Sequence, residues 1–132
     1  MKLTALQQDI YSSKICPYCK SSTKIVSETF IYGKEYKGRQ MICCFNFPVC
    51  DSYIGTHDDG TTLGRLANKE LRQWRKVTHN NFFDPLWKSK EYDRSELYEM
   101  LADYLELPLE YCHIGFFNVT TLKKVIEWCK NL

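Results

Sequence analysis

The chain has 132 residues, of which 44% are hydrophobic, 14% aromatic and 26% charged. This composition is typical of a folded globular protein and excludes intrinsic disorder as its main state. No apolar stretch reaches the roughly 18 residues that a membrane-spanning helix needs, and the N-terminus lacks the apolar region of a secretion signal. We therefore expect a cytoplasmic protein without a membrane partner.

The net charge of +2 is unevenly distributed along the chain. Seven Lys/Arg stand against four Asp/Glu in residues 1–56, and again seven against four in residues 57–90, so each stretch carries +3. Residues 91–132 hold four basic and eight acidic residues, a net charge of −4. The basic front favours a polyanion or another acidic partner.

The first half of the chain is predicted to form a short helix and three strands. Leu3, Leu6 and Ile10 recur at helical spacing, which predicts a short lead-in helix. Residues 23–32 and 39–43 have strand composition, and the basic turn bracketed by Gly33 and Gly38 would join them as a hairpin. A third short strand is predicted over residues 53–56.

Three helices are predicted in the second half. Apolar residues fall on one face of a helix from about Thr62 to Thr78, and a loop containing Asp84-Pro85 follows it. Asp93 predicts the cap of a helix that ends before Pro108, and Asn118 predicts the cap of the last helix. The sequence therefore predicts an α+β fold, in which a small three-helix domain over residues 57–132 packs against a β-rich part over residues 1–56.

The spacing of the cysteines predicts a metal site. Seven cysteines in an intracellular chain indicate metal ligands and free thiols, because an odd number cannot pair completely within one chain. Cys16-x2-Cys19 and Cys44-x5-Cys50 each place two thiols on one turn, with 24 residues of hairpin between the pairs. Because structural zinc takes four tetrahedral ligands, we predict one structural Zn²⁺ bound by these four cysteines in a zinc ribbon over residues 1–56.

Other residues could complete the same site. Cys43 is the main alternative to its neighbour Cys44, and His57 or Asp51 could replace a weaker ligand. Strand alternation sends Cys43 and Cys44 to opposite faces, so only one of the two is expected to bind the metal.

The segment CPYC…CCFNFPVCD resembles the zinc ribbons at the C-terminal end of bacterial type IA topoisomerases. In those ribbons a CPxC turn, a hairpin and a C-x5-C turn follow one another, and the resemblance extends over about residues 14–55. It favours Cys44 over Cys43. Because those ribbons bind single-stranded DNA, the resemblance implies a nucleic-acid role for Phe45 and Phe47.

From about residue 14 to its end, the chain is also similar to a zinc-finger-containing family of unknown function from bacteria, phages and mobile elements. The similarity is carried by CPYC, by YIGTHDDGTTLGRLANKELRQWRKVTHNNFFDPLW and by CHIGFFN. It supports the metal, implies a bacterial cell or a phage-infected host, and brings no assigned activity.

Basic and aromatic residues favour a nucleic-acid partner, because phosphates attract Lys and Arg while unpaired bases stack on aromatic rings. The ribbon offers Lys34, Tyr36, Lys37, Arg39, Phe45 and Phe47. The first predicted helix of the second half offers Arg65, Arg72, Arg75 and Lys76. We predict a non-catalytic protein that binds nucleic acid, with single-stranded DNA favoured. The competing interpretation is a solvated helix face and half-buried aromatic residues of a thin core.

Two other functions compete with this prediction. His57, His79, His113 and Asp84 are the residue types of a hydrolytic site, so a metal-dependent nuclease or phosphohydrolase is one alternative. No HExxH, DxD or HNH pattern supports it, and a four-thiolate zinc is closed to water. The other alternative is an interaction module of a phage or mobile element, whose acidic residues 91–132 bind a host or replication protein.

Overall fold

The computed structural model describes residues 3–132; the first two residues of the predicted ribbon lie outside the described residues. The chain forms two compact units, residues 3–69 and residues 70–132. A three-stranded antiparallel sheet lies in the first unit, and the second is helical, which confirms the α+β class. The predicted division into a ribbon over residues 1–56 and a helical domain over residues 57–132 stays a prediction.

The lead-in helix, α1, runs from Ala5 to Tyr11. Thr4 begins it with a reciprocal cap, in which the Thr4 hydroxyl accepts the Gln7 N–H while the Gln7 side chain accepts the Thr4 N–H. Ile10 of this helix is buried, as is Leu3 just before its cap, whereas Leu6 is exposed. The lead-in helix predicted from the spacing of the apolar residues is therefore confirmed.

The sheet contains β1 (Thr23–Ser27), β2 (Gln40–Cys44) and β3 (Tyr53–Gly55) in that order, with β2 central. Alternation along β2 divides its residues between two faces. Ile42 and Cys44 lie on one face and pack in a core with Cys16 and Leu66. Cys43 lies on the other face, where its cross-strand neighbours are Lys24 of β1 and Tyr53 of β3.

The predicted strand over residues 23–32 is wrong beyond Ser27. There the chain turns into a short helix, α2 (Glu28–Tyr32), because the Ser27 hydroxyl accepts the Phe30 N–H and caps it. Gly33 ends the helix with a φ of +79°, a left-handed conformation that glycine adopts without strain. The β-branched and aromatic composition of this segment was therefore overridden by a local cap.

The predicted helix over residues 62–78 is wrong before Lys69, because α3 runs from Lys69 to Val77. Ala67 pairs with Tyr53 at the edge of the sheet, and the two exchange backbone hydrogen bonds of 3.0 and 3.2 Å. Leu66 and Ala67 are fully buried in the first unit. Their apolar pattern thus belongs to the sheet and not to a helix face.

The loop predicted at Asp84-Pro85 is also wrong, because helical structure continues there. A π-helical segment (Thr78–Phe83) follows α3 and leads into α4 (Asp84–Lys88). The Asp84 N–H donates to the His79 carbonyl five residues earlier, the wide turn of a π-helix. Pro85 lies in the first turn of α4, where no backbone donor is required.

The remaining helices follow the sequence prediction. Asp93 caps α5 (Arg94–Leu105) by accepting the N–H groups of Ser95 and Glu96. Asn118 caps α6 (Val119–Lys130) by accepting the Thr121 N–H. Short 3₁₀ turns, Leu109–Tyr111 and Ile114–Phe116, lie between them. The fully buried apolar side chains of this unit include Phe83, Leu97, Leu101, Leu122 and Val125. Within residues 3–132, no helix combines the length and apolar character that crossing a membrane requires.

Candidate metal centre and aromatic face

Four cysteine side chains converge at one end of the sheet. The sulfurs of Cys16, Cys19, Cys44 and Cys50 all lie within 4.8 Å of one another. The sulfurs of Cys19 and Cys44 are 3.3 Å apart, and those of Cys16 and Cys50 are 3.7 Å apart. A tetrahedral zinc with Zn–S bonds of about 2.3 Å would hold its sulfurs about 3.8 Å apart, so the group fits one such ion.

Two turns present these thiols. In the first, the Cys16 N–H donates to the Ser21 carbonyl and the Lys20 N–H donates back to the Cys16 carbonyl. In the second, the Phe47 N–H donates to the Cys44 carbonyl, and the Asn46 N–H points to the Cys44 sulfur at 3.4 Å. Such N–H···S contacts stabilise thiolates and orient them toward a metal.

The environments of the thiols differ. Hydrogen bonds from Ser21, and secondarily from Cys44, lower the pKa of the Cys19 thiol to about 6. Burial instead raises the pKa of both Cys44 and Cys50. Buried thiols of this kind ionise readily only beside a cation, so metal binding would be coupled to proton release.

The alternative ligands lie outside this group. Cys43 is fully buried on the opposite face of the sheet, where burial raises the pKa of its thiol. Neither Asp51 nor His57 joins the four sulfurs among the residues that the structure describes. The donor set is therefore four thiolates, which favours a closed structural zinc site.

Aromatic rings form a continuous row in the first unit. Phe30 lies 5.7 Å from Phe47 between ring centroids, and Phe47 lies 6.0 Å from Tyr53. Tyr53 contacts Tyr32 at 5.8 Å, and Tyr32 contacts Tyr36 at 5.3 Å. We call these five residues the aromatic row. Tyr53 comes from the sheet face that also carries Cys43, so the row lies on the side opposite the Ile42 core.

Lysine side chains accompany the row at both ends. The Lys24 ammonium lies 5.0 Å from the Phe30 ring and 5.5 Å from the Phe45 ring, while Lys34 lies 4.9 Å from the Tyr36 ring. Phe45 and Tyr36 are 60% and 62% exposed. Exposed aromatic rings beside cations can contact a partner that carries both planar groups, which stack on the rings, and anionic groups, which pair with the cations.

The other basic residues named from the sequence occupy different settings. Arg39 forms a 2.7 Å ion pair with Asp58, which offsets its charge. Arg65 lies in the first unit before α3 begins, and burial lowers its pKa. On α3, Arg75 donates to the Gly115 carbonyl at 2.6 Å, while Arg72 is half-buried and Lys76 is exposed.

The histidines do not assemble a metal group in the described parts of either unit. His79 contacts Asp84 at 3.0 Å, and the Trp87 indole N–H donates to the same carboxylate oxygen. His113 packs against Tyr98, and burial together with Arg94 lowers its pKa. His57 lies in the first unit, where its backbone N–H donates to the Thr61 carbonyl.

Sequence reasoning missed three residues of the aromatic row and its flanking lysines: Lys24, Phe30 and Tyr53. They were assigned to strands as general strand composition. Strand alternation places Lys24 and Tyr53 on one face and would have linked them. Ser27 and Gly33, a capping residue and a helix-ending glycine, are the sequence signal for α2, which positions Phe30 and Tyr32.

The fold and the four-thiol group define a zinc-finger type of metal-binding module. A family model described as a zinc-finger-containing domain, DUF3268, matches residues 12–132. The chain therefore belongs to this family, which confirms the similarity to a zinc-finger-containing family of unknown function. No curated protein and no solved structure matches the chain.

Proposed function

We propose that the chain binds one structural Zn²⁺ through Cys16, Cys19, Cys44 and Cys50 and that the resulting ribbon binds single-stranded nucleic acid, DNA in the first place, without catalysing a reaction. Four thiolates complete a tetrahedral zinc and leave no position for a reacting water. The metal would therefore act by fixing the two turns. Such thiols need reducing surroundings, which supports a cytoplasmic setting.

The observation that carries the nucleic-acid proposal is the aromatic row with its flanking lysines. A base in a duplex is already stacked on both sides, whereas an unpaired base can stack on a protein ring. Phe30 and Tyr32 are 48% and 44% exposed, so ring surface remains available along the row. Lys24 and Lys34, beside its two ends, supply the charge that phosphates require.

The proposal is tested by the fluorescence anisotropy of a labelled oligo-dT at low salt. We expect saturable binding that weakens as salt rises, because phosphate contacts release counterions. Tyr36→Ala and Phe45→Ala each remove one exposed ring and should weaken binding roughly 5- to 150-fold, which corresponds to ~1–3 kcal/mol per stacked base.

Tyr104→Ala is the matched control, since Tyr104 is 51% exposed but lies on α5 in the second unit. It should leave the affinity unchanged. Absence of binding at low salt, or equal losses in all three variants, would contradict the proposal.

A second candidate is supported by the acidic C-terminal stretch. Met100, Tyr104 and Leu109 are 39%, 51% and 50% exposed, and Glu99, Asp103, Glu106 and Glu110 are exposed near them in sequence. A surface of this composition suits a basic protein segment of a host or replication protein. The anisotropy experiment decides between the candidates, since an interaction module alone would not bind the oligonucleotide.

A further inference from the structure

A cavity of about 460 Å³ lies beside the Tyr36 end of the aromatic row. Its size falls within the range of small-ligand sites, roughly 300–1,000 Å³. Tyr32 and Tyr36 line it together with Met41, Gly55 and Leu63, so most of its surface is apolar. The cavity therefore continues the surface on which we propose that bases stack.

Gly55 keeps the floor of this cavity open. Met41 and Gly55 are directly paired across β2 and β3. A methyl group added at Gly55 would lie 3.2 Å from a Leu63 side-chain carbon and 4.0 Å from the Met41 sulfur. Any side chain at this position would thus enter the space above the sheet.

The buried residue Glu28 also lines the cavity. Glu28 is 6% exposed, and its Oε1 atom accepts N–H groups from four consecutive residues, 36–39, at 2.7–3.3 Å. Among the described residues 3–132, the hydrogen-bond partner of its Oε2 atom is the Lys37 nitrogen, at a long 3.4 Å. The loop thus holds the carboxylate in place while Oε2 keeps capacity to accept a further N–H.

These features select a class of ligand. An apolar space beside two tyrosine rings suits a planar ring, and a fixed carboxylate accepts only from N–H or O–H donors. Among the nucleobases, guanine presents a ring N–H next to an exocyclic amino group, and both can donate to the single oxygen Oε2, as the two N–H groups of a urea donate to one acceptor. Lys37 is exposed at the edge of the cavity, where a phosphate attached to the base could lie.

We propose that this cavity binds one guanine base of a single strand, against Tyr32 and Tyr36, with its N–H edge on the Glu28 carboxylate and its phosphate beside Lys37. The inference rests on the proposed function, because the guanine belongs to the same nucleic-acid strand that binds along the aromatic row. Guanine binding in the cavity would add a base preference to a surface that otherwise binds single strands of any sequence.

The test is an NMR titration of the zinc-loaded protein with dGMP, dAMP, dCMP and dTMP. We expect dGMP to shift the Met41 methyl and Gly55 amide signals at lower concentration than the other three nucleotides. Inorganic phosphate alone should leave both signals in place. Equal effects of all four nucleotides would overturn the assignment of Glu28 as the group that reads the base.

Leu63→Phe is the matched variant, since Leu63 is 41% exposed and a larger ring there would fill the cavity without disturbing the core. It should abolish the dGMP-induced shifts and preserve oligo-dT binding. If oligo-dT binds the wild-type protein but no mononucleotide moves either signal, the cavity proposal fails while the proposed function stands. If neither ligand binds, both fail.

Discussion

Cys43 and Cys44 are adjacent residues with opposite environments. Cys44 belongs to the four-thiol group. Cys43 lies on the other face of the sheet, between its cross-strand neighbours Lys24 and Tyr53. Both are fully buried, so exposure alone does not distinguish them. Strand alternation predicted from the sequence that only one of the two would bind the metal, and the resemblance to topoisomerase ribbons favoured Cys44.

At the residue scale we predict that Cys44→Ala loses the metal and Cys43→Ala keeps it. Removing one of four thiolates opens the tetrahedral site, whereas a missing sulfur on the far face leaves the ligands untouched. The measurement is the zinc content per chain of each purified variant, with one ion expected for the wild type. One zinc in Cys44→Ala, or none in Cys43→Ala, would show that Cys43 is the ligand.

At the scale of elements, α2 and the loop after it depend on Glu28. The carboxylate accepts hydrogen bonds from the backbone N–H groups of residues 36–39. Without it, these four donors of the loop would lose that acceptor. Burial acts to raise the pKa of Glu28, but the hydrogen bonds from Lys37, Gly38, Tyr36 and Arg39 outweigh it and lower the pKa below its ordinary value. The ionised carboxylate is thus the form that stabilises this loop.

We therefore predict that Glu28→Gln lowers the thermal midpoint and speeds amide exchange at Gly38. Because the folded-state pKa is lowered, this stabilisation is complete above the ordinary pKa of 4.5 and is lost as the pH falls through the folded value. The difference between wild type and variant should accordingly be largest near neutral pH and shrink in acid.

Glu35→Gln is the control for the loop, since it removes the same charge from an exposed position in the same segment. It should leave both measurements near the wild-type values. Equal effects of the two substitutions would mean that overall charge, and not the hydrogen bonds to Glu28, stabilises the loop.

The elements also show where sequence patterns stop being informative. Residues 28–32 have strand composition, yet one cap from Ser27 was enough to start a helix. Leu66 and Ala67 match a helical stripe, yet Ala67 pairs with Tyr53, fourteen positions earlier in the chain. The sequence predicted α1, α5 and α6 because each has both buried apolar residues and a cap within or next to its own segment.

At the scale of the whole molecule, the two units draw on different sources of stability. Residues 3–69 have a thin core that includes Cys16 and Cys44, so metal binding would supply much of its folding free energy. Residues 70–132 instead bury Phe83, Leu97 and Leu122 completely. Composition alone predicted a folded globular chain but not this division.

We predict that a zinc chelator unfolds residues 3–69 selectively. NMR signals of the first unit, such as those of Ile42 and Tyr53, should lose their dispersion, while those of Leu97 and Val125 persist. Added zinc should restore the lost signals. Simultaneous loss of all signals would show that the helical unit cannot hold its structure without the metal, and no loss would show that the ribbon does not need it.

The second metal turn has a thermodynamic consequence. Its end residues, Cys44 and Cys50, are proposed metal ligands, and between them lie Phe45 and Phe47, which we propose contact the strand. If the metal orders these rings, the two binding equilibria are linked, and each ligand must raise the affinity for the other by the same factor. A bound strand would then lower the free zinc concentration at which the site is half filled, and the protein would hold its metal most tightly where its nucleic acid is present.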